Sequence, residues 1–301
     1  MPETPSRAQL TTLLSNDVLD RLERLRINAG RRFTSKSQGE HLSGKGGRSI
    51  EFSDYRDYSP GDDFRFVDWN IFARLQRAYL KLYHQEEEIH VVLMVDASSS
   101  MLFEGKLDRA TQLAAAFGVM GLLGSERVSV FAFNAAGGML RRLPPCVGRA
   151  SMRKLFAFLE RLEGGGDAPV EDGIERALRY HAGRGVAVVL SDFLTFGDVK
   201  KALNRIFNAG LETCGIQVLC PAEIDPDLSG DVRLVDCETQ DALDVSAAGD
   251  LLDLYAQYRL DYEARLSTLC QQRAGRFACV GSEDAIEWIL FDLLRRRGWV
   301  R

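Results

Sequence analysis

The stretch Val91-Val92-Leu93-Met94-Val95-Asp96-Ala97-Ser98-Ser99-Ser100 decides the reading of this chain. Its first five residues are apolar without a break, the pattern of a strand buried on both faces of a parallel sheet. The strand then delivers Asp-x-Ser-x-Ser, so one carboxylate and two hydroxyls leave its end together. Val186-Ala187-Val188-Val189-Leu190-Ser191 followed by Asp192 repeats the arrangement. In an open α/β sheet, ligands bind beyond the carboxyl ends of strands, where the strand order reverses. Oxygen donors gathered at such an edge suit a small divalent cation.

Around these two strands the chain alternates. The spacing predicts strand 90–96, helix 108–123, strand 128–134 with a hairpin partner at 138–143, and helices 150–162 and 171–182. Strand 186–191, helix 197–208 and strand 214–220 continue the pattern. Short strands near 232–237 and 243–246, a long helix 249–273, a strand 276–280 and a helix 283–297 complete it. Such alternation implies a doubly wound, mostly parallel α/β sheet with helices on both faces. Upstream, Leu10, Leu13, Leu14, Leu19, Leu22, Leu25 and Ile27 recur near helical spacing, which predicts a helix over 8–29 stopped by Gly30. Residues 31–90 differ. Gly39, Gly44, Gly46, Gly47 and the turn Ser59-Pro60-Gly61-Asp62 punctuate short aromatic segments, and Tyr79 to Tyr83 reads as a strand. Arg56, Arg65 and Arg74 among Asp57, Asp62, Asp63 and Asp68 suit an ion-pair network holding that segment. The reading divides the chain into 1–87, a helix with a β-rich segment, and 88–301, the α/β domain with a β/α extension.

With 301 residues, 33.6 kDa and 46% hydrophobic side chains, the chain can bury a large core. A net charge of -5 and a pI near 5.6 argue against nonspecific nucleic-acid binding, which needs an excess of Lys and Arg. The six cysteines show neither Cys-x-x-Cys spacing nor a disulfide framework. The start Met-Pro-Glu-Thr-Pro lacks the basic and apolar regions of a signal peptide, and no apolar run approaches the roughly 20 residues of a membrane helix. These features predict a cytoplasmic protein with no direct membrane insertion.

Asp96, Ser98, Ser100 and Asp192 are therefore the candidate metal ligands, with Asp167 of the loop Gly164-Gly165-Gly166-Asp167 as a further carboxylate. Mg²⁺ takes oxygen ligands at about 2.0–2.1 Å in near-octahedral geometry and keeps several waters; Mn²⁺ is the alternative ion. Ordinary readings stand beside this one. Ser98 to Ser100 also suit a solvated loop, Asp192 a turn, and Asp167 a helix cap ahead of Pro169.

Residues 88 to 220, including the helix start Lys106-Leu107-Asp108-Arg109-Ala110, resemble the von Willebrand factor A domain and its metal-ion-dependent adhesion site. The resemblance implies that Asp96, Ser98 and Ser100 form the first element and Asp192 the third of a Mg²⁺ site completed by a partner's acidic side chain. The second element departs from the family. Its Gly-Gly-Thr-Asp stands here as Gly164-Gly165-Gly166-Asp167, so the threonine position is Gly166, and either Asp167 compensates or metal affinity is weakened or absent. Upstream, Gly39-Glu40-His41-Leu42-Ser43-Gly44, Glu51-Phe52, Arg56-Asp57-Tyr58, Pro60-Gly61-Asp62-Asp63, Asp68-Trp69 and Ala73-Arg74 resemble the signature of the domain-of-unknown-function family fifty-eight. Those bacterial proteins join this segment to a von Willebrand-type domain, and the resemblance implies a MoxR-type AAA+ ATPase as partner.

The expected function is a non-enzymatic, Mg²⁺-dependent protein-interaction module acting as partner or adaptor of such an ATPase. A metal-free scaffold of the same fold is the first alternative, and a metal-dependent phosphotransfer or hydrolytic enzyme the second. Enzyme motifs fall short. Gly39-x4-Gly44-Lys45 meets Gly46 where a P-loop needs Ser or Thr, and no apolar strand precedes it. Ser98 stands where a phosphotransferase wants a second acid, with no lysine in an obvious role. No Gly-x-Ser-x-Gly elbow occurs, and His41, His84, His90 and His181 read as surface or structural.

Overall fold

The structure, a computed structural model, describes residues 9–30, 34–35, 50–86, 89–195, 197–227, 230–236, 241–245 and 251–301. The glycine-rich stretch 39–47, with its P-loop-like spacing and family-like string, lies outside them. In chain order the elements are α1 (Asn16–Leu22), β1 (Thr34–Ser35), β2 (Ile50–Asp57), α2 (Trp69–Leu75), β3 (Tyr79–Glu86), β4 (His90–Asp96) and α3 (Lys106–Leu123). There follow β5 (Arg127–Ala135), β6 (Met139–Cys146), α4 (Met152–Leu159), α5 (Val170–Leu178), β7 (Gly185–Ser191), α6 (Val199–Asn208) and β8 (Leu211–Leu219). The chain ends with α7 (Pro221–Ile224), β9 (Val232–Val235), β10 (Ala242–Val245), α8 (Leu252–Gln271), β11 (Arg276–Gly281) and a helical stretch over 286–296 that passes through a π-turn.

The central sheet has six strands in the order β11-β8-β7-β4-β5-β6. All neighbours are parallel except β6, which runs antiparallel to β5. This is the doubly wound, mostly parallel α/β sheet with helices on both faces that the alternation predicts. From β4 the chain winds one way through β5 and β6, then the other way through β7, β8 and β11, so the order reverses between β4 and β7. The unbroken apolar run explains why β4 lies at the centre. Val91, Leu93 and Val95 enter one core with α1, α3 and α4, while Val92 and Met94 enter the other with α5, α6 and α8. Each such side chain contributes roughly 1.5–3 kcal/mol on burial. A polar residue anywhere inside the run would end up on one of these two dry faces.

The N-terminal helix groups with the α/β domain and not with the β-rich segment it precedes. By contacts the chain forms two compact units, one of 1–31 with 89–301 and one of 32–88. The helix is also shorter than the predicted 8–29. Ser15 caps α1 by accepting from Val18 N–H, and α1 sets Val18, Leu19 and Leu22 into the same core as α3. Beyond Leu22 the backbone finds better partners elsewhere. Ile27 bridges Val300, and Arg26 and Arg301 exchange backbone hydrogen bonds of 2.8 and 3.0 Å. Buried Glu212, in β8, accepts from Gly30 N–H (2.8 Å) and from Arg276 (2.7 Å), and Arg276 also donates to Asn28 O. Residues 26–30 and 299–301 are thus clamped beside the start of β8.

The unit of residues 32–88 is a small antiparallel sheet, β1-β3-β2, with α2 in the β2–β3 connection. Asp68 caps α2 through Asn70 and Ile71 N–H, and its other oxygen takes Tyr55 OH (3.1 Å) and Lys81 Nζ (3.0 Å). Arg56 pairs with Asp62 (2.8 Å) and Arg65 with Asp63 (2.5 Å). The predicted ion-pair network is therefore present in part, with Lys81 and Tyr55 as members the sequence reading left out. Among the described residues no helix is long and apolar enough to cross a membrane.

Removing one partner of a buried ion pair typically costs ~3–5 kcal/mol. Glu212→Ala is expected to lower the unfolding free energy by about that much in urea denaturation. A loss below about 1 kcal/mol, the size of an exposed pair, would show that the clamp is peripheral.

Candidate functional site

The switch point between β4 and β7 gathers three polar strand ends. Asp96 closes β4, Asn134 sits near the end of β5, and Ser191-Asp192 follow the apolar run of β7. Between the first two threads the triglycine loop. Gly165 N–H donates to Ala97 O (2.8 Å), Gly166 N–H to Asn134 O (2.9 Å), and Ser99 N–H to Gly166 O (2.9 Å). The loop is in effect a short extra strand, and the glycines make that approach possible. A Cβ at Gly164 would stand 2.5 Å from Ala97 O, and one at Gly166 2.8 Å from Asn134 Cα. Threonine is absent from position 166 because the β5 backbone already fills the space.

Asp96 is almost wholly buried, at 1% exposure. Its Oδ1 accepts from Ser98 N–H (3.0 Å) and Asn134 Nδ2 (3.3 Å), and its Oδ2 from Ser191 Oγ (2.8 Å). Every one of these partners is a neutral dipole. Burial, and next the nearby Asp192 carboxylate, push the Asp96 pKa up to about 7 against the pull of the hydrogen bonds. Ser98 Oγ and Ser100 Oγ lie 3.0 Å apart. Asp96, Ser98, Asn134, Ala168, Val170, Asp192, Leu194 and Thr195 line a cavity of about 10 Å³, the room of one water or one small ion.

Asp192 faces a different environment. Lys106, the first residue of α3, is 1% exposed, and its Nζ lies 2.8 Å from Asp192 Oδ2 and 2.5 Å from Glu223 Oε1. An ammonium buried at the N-terminus of an 18-residue helix opposes the helix dipole. Burial alone would lower its pKa, but the two carboxylates together outweigh that and hold it above the ordinary lysine value. Asp192 Oδ1 accepts Leu194 N–H (3.0 Å), and its backbone carbonyl accepts Gln217 Nε2 (2.8 Å). The next residue, Phe193, has φ +56°, a left-handed conformation costly for an aromatic residue. Tyr262 OH holds it by donating to Phe193 O (2.6 Å).

Of the predicted ligands, Asp96, Ser98 and Asp192 meet at the cavity and Ser100 touches Ser98. The Asp167 side chain is exposed and is not part of the lining. Lys106, Asn134, Ser191, Thr195 and Glu223 are the residues sequence reasoning missed as parts of the site. Asn134 and Ser191 carried a usable signal, since each is a polar residue near the end of an apolar strand. Glu223 carried none. For a metal, the donor set is mixed. Two hydroxyls 3.0 Å apart match the about 3 Å separation of adjacent oxygens in an octahedron of 2.0–2.1 Å bonds. No cluster of three or more His, Cys, Asp or Glu suited to a metal occurs among the described residues, so a cation here would rely on hydroxyls as much as carboxylates.

Two pH effects oppose each other. Asp96 binds its proton more tightly folded than unfolded, so its contribution is full below about pH 4 and is lost as pH rises through about 7. His90 is buried against His181, and burial first, then the His181 charge, lower its pKa to about 4. Its contribution is full above the unfolded value of 6.5 and is lost as pH falls toward 4. Asp96→Asn is therefore expected to raise the metal-free Tm at pH 8, by a stability on the order of 2–4 kcal/mol, and to leave it nearly unchanged at pH 4. An equal Tm for both proteins at pH 8 would mean that Asp96 is not strained by its ionisation. Gly166→Thr should cost about 1–3 kcal/mol of stability by overpacking. It should bring no gain in Mg²⁺ affinity, which calorimetry can check.

A family described as "Protein of unknown function DUF58" matches residues 54–266. Uncharacterized proteins of Mycobacterium tuberculosis and Mycobacterium bovis are each 28% identical over 276 residues, covering 86% of this chain and 86% of theirs. Among solved structures, the conserved hypothetical protein BatB from Bacteroides thetaiotaomicron is similar over 70% of this chain and 98% of its own, at 15% identity and a TM-score of 0.44. An aerotolerance-related membrane protein from Bacteroides fragilis is similar over 64% of this chain and 91% of its own, at 18% identity and a TM-score of 0.41. The family match spans Asp96, Lys106 and Asp192 and reaches back into the small antiparallel unit, and by that extent the chain belongs to the DUF58 family of proteins of unknown function.

Proposed function

We propose that this protein is a non-enzymatic, protein-binding module whose carboxyl sheet edge takes an acidic side chain of a partner through a divalent cation. One observation carries the reading: Asp96 is a buried carboxylate held by neutral dipoles alone, in a cavity the size of a single ion. Asp96, Ser98 and Ser100 would hold Mg²⁺, or Mn²⁺, with Asp192 behind them and Thr195 on the cavity wall offering the hydroxyl that Gly166 lacks. The bound ion supplies one service, a positive charge that an incoming carboxylate can complete. Lys106 keeps Asp192 in place and leaves Asp96 as the group still short of charge. Exposed Leu102, Phe103 and Leu194 belong to the loops that carry these ligands and suit a protein contact. The partner in this reading is a MoxR-type AAA+ ATPase, in the cytoplasm, as the family resemblance implies.

A phosphotransfer enzyme would use the same strand-end carboxylates, and Lys106 makes that reading concrete. Ser98 speaks against it, since that chemistry wants a second acidic residue two positions after the strand-end aspartate.

Isothermal titration with Mg²⁺ and Mn²⁺ tests the reading. Binding is expected for the wild type, about tenfold or more weaker for Asp96→Asn, weaker for Thr195→Val, and unchanged for Asp167→Asn. A flat wild-type titration would leave the metal-free scaffold as the function. Capture of the ATPase that is lost on chelation supports the cation-gated contact, and capture that survives chelation refutes it. Hydrolysis of p-nitrophenyl phosphate that disappears in Asp96→Asn would replace the proposal with the enzyme.

A further inference from the structure

Thr195 stands on the cavity wall just past β7, and its hydroxyl is not free to turn. Gly197 N–H donates to Thr195 Oγ1 (3.2 Å). A hydroxyl oxygen has two lone pairs and one proton, and its direction is otherwise set only by the staggered rotamer its side chain adopts. The bond from Gly197 occupies one lone pair, fixes that rotamer and leaves the second lone pair for a cation.

The backbone that makes this bond is held by Glu171. Glu171 lies in the first turn of α5, whose first residue, Val170, lines the same cavity. Its Oε1 accepts Asp198 N–H (2.9 Å). Its Oε2 is buried with no hydrogen-bond partner among the described residues, and a Cβ at Gly197 would stand 1.7 Å from it. The carboxylate thus fills the space a side chain at position 197 would take. An acid serving only the dipole of α5 would keep both oxygens in water, because a buried oxygen without a donor is costly. The far side is fixed as well. Asp198 caps α6 by accepting Lys201 N–H (3.1 Å), and Arg205 of α6 donates to Glu171 O (3.2 Å).

We propose that Glu171 is a positioning residue of the cation site. Through Gly197 and Asp198 it holds the backbone that orients Thr195 Oγ1, and it does so from outside the cavity lining, without touching the ion. The inference rests on the cation reading above and extends it to the start of α5. Gly197 belongs to the same device, since no other residue leaves room for the carboxylate.

Titration calorimetry with Mg²⁺ and Mn²⁺ on the full chain tests it, with circular dichroism and Tm showing that each variant is folded at the temperature used. Glu171→Ala is expected to bind about tenfold more weakly than the wild type, the loss usual when a residue supporting a metal ligand is removed. Glu171→Gln keeps an acceptor for Asp198 N–H and should bind within about threefold of the wild type. In a Thr195→Val background Glu171→Ala should cause no further loss, because the hydroxyl it orients is gone. With no metal present, amide hydrogen exchange at Asp198 should be faster in Glu171→Ala than in Glu171→Gln. A Gln variant as weak as the Ala variant would mean that Glu171 acts through its charge. Additive losses in the double variant would mean that it acts elsewhere than on Thr195, and equal exchange in the two variants that it does not hold the backbone. Each of these outcomes overturns the proposal. Glu171→Ala binding as tightly as a wild type that binds overturns it too, and leaves the cation reading standing. A wild type that binds neither ion overturns both.

Discussion

A carboxylate taken out of water at the end of a strand buried on both faces must be compensated, and this requirement organises the upper edge of the sheet. β4 is central because its five apolar residues supply two cores at once. The same centrality denies Asp96 any solvent. Its compensation is assembled from the strands on either side: an amide from Asn134 of β5, a hydroxyl from Ser191 of β7, and the N–H of Ser98 just beyond. None of these brings a full charge. The one full positive charge nearby, on Lys106, is committed to Asp192 and Glu223. Fold and site are therefore one problem, in which the burial that fixes the sheet also creates a position short of positive charge.

The sequence made β4 and β7 legible because burial on both faces leaves an unbroken apolar run of five residues in each, Val91 to Val95 and Val186 to Leu190. Strand 90–96 is found as predicted, and 186–191 differs by a single residue at its start. Helix ends were less legible. Residues 23–30 keep the apolar spacing of a helix, yet their backbone is taken by Trp299 to Arg301, nearly the whole chain away. No local pattern reports a pairing that distant. The same holds for Lys106 and Glu223, which lie 117 positions apart and meet only because β4 and β8 flank β7. By contrast, Asn134 and Ser191 were visible under the rule that singled out Asp96, a polar residue where an apolar strand stops.

Gly166 shows how a departure from a family pattern can have a steric cause. The loop that would carry a threonine hydroxyl is here stitched by backbone hydrogen bonds between Ala97 and Asn134. A loop held that closely has no room for a side chain at its middle position. The hydroxyl, if it is to be replaced, has to come from another wall of the cavity, and Thr195 is the hydroxyl residue on the wall that follows β7. Asp167 lies past the stitched segment, and nothing in the loop turns it back toward Asp96.

The sign of the surrounding charge bears on the proposed mode of binding. Asp96 and Asp192 both line the cavity, and a partner's carboxylate approaching it bare would be repelled. A partner's arginine or lysine would be attracted, but the buried ammonium position is already filled by Lys106. In the proposed mode of binding, a carboxylate-lined cavity would make docking of a partner acid conditional on the ion: the charge that repels the acid is the charge that would gather the cation.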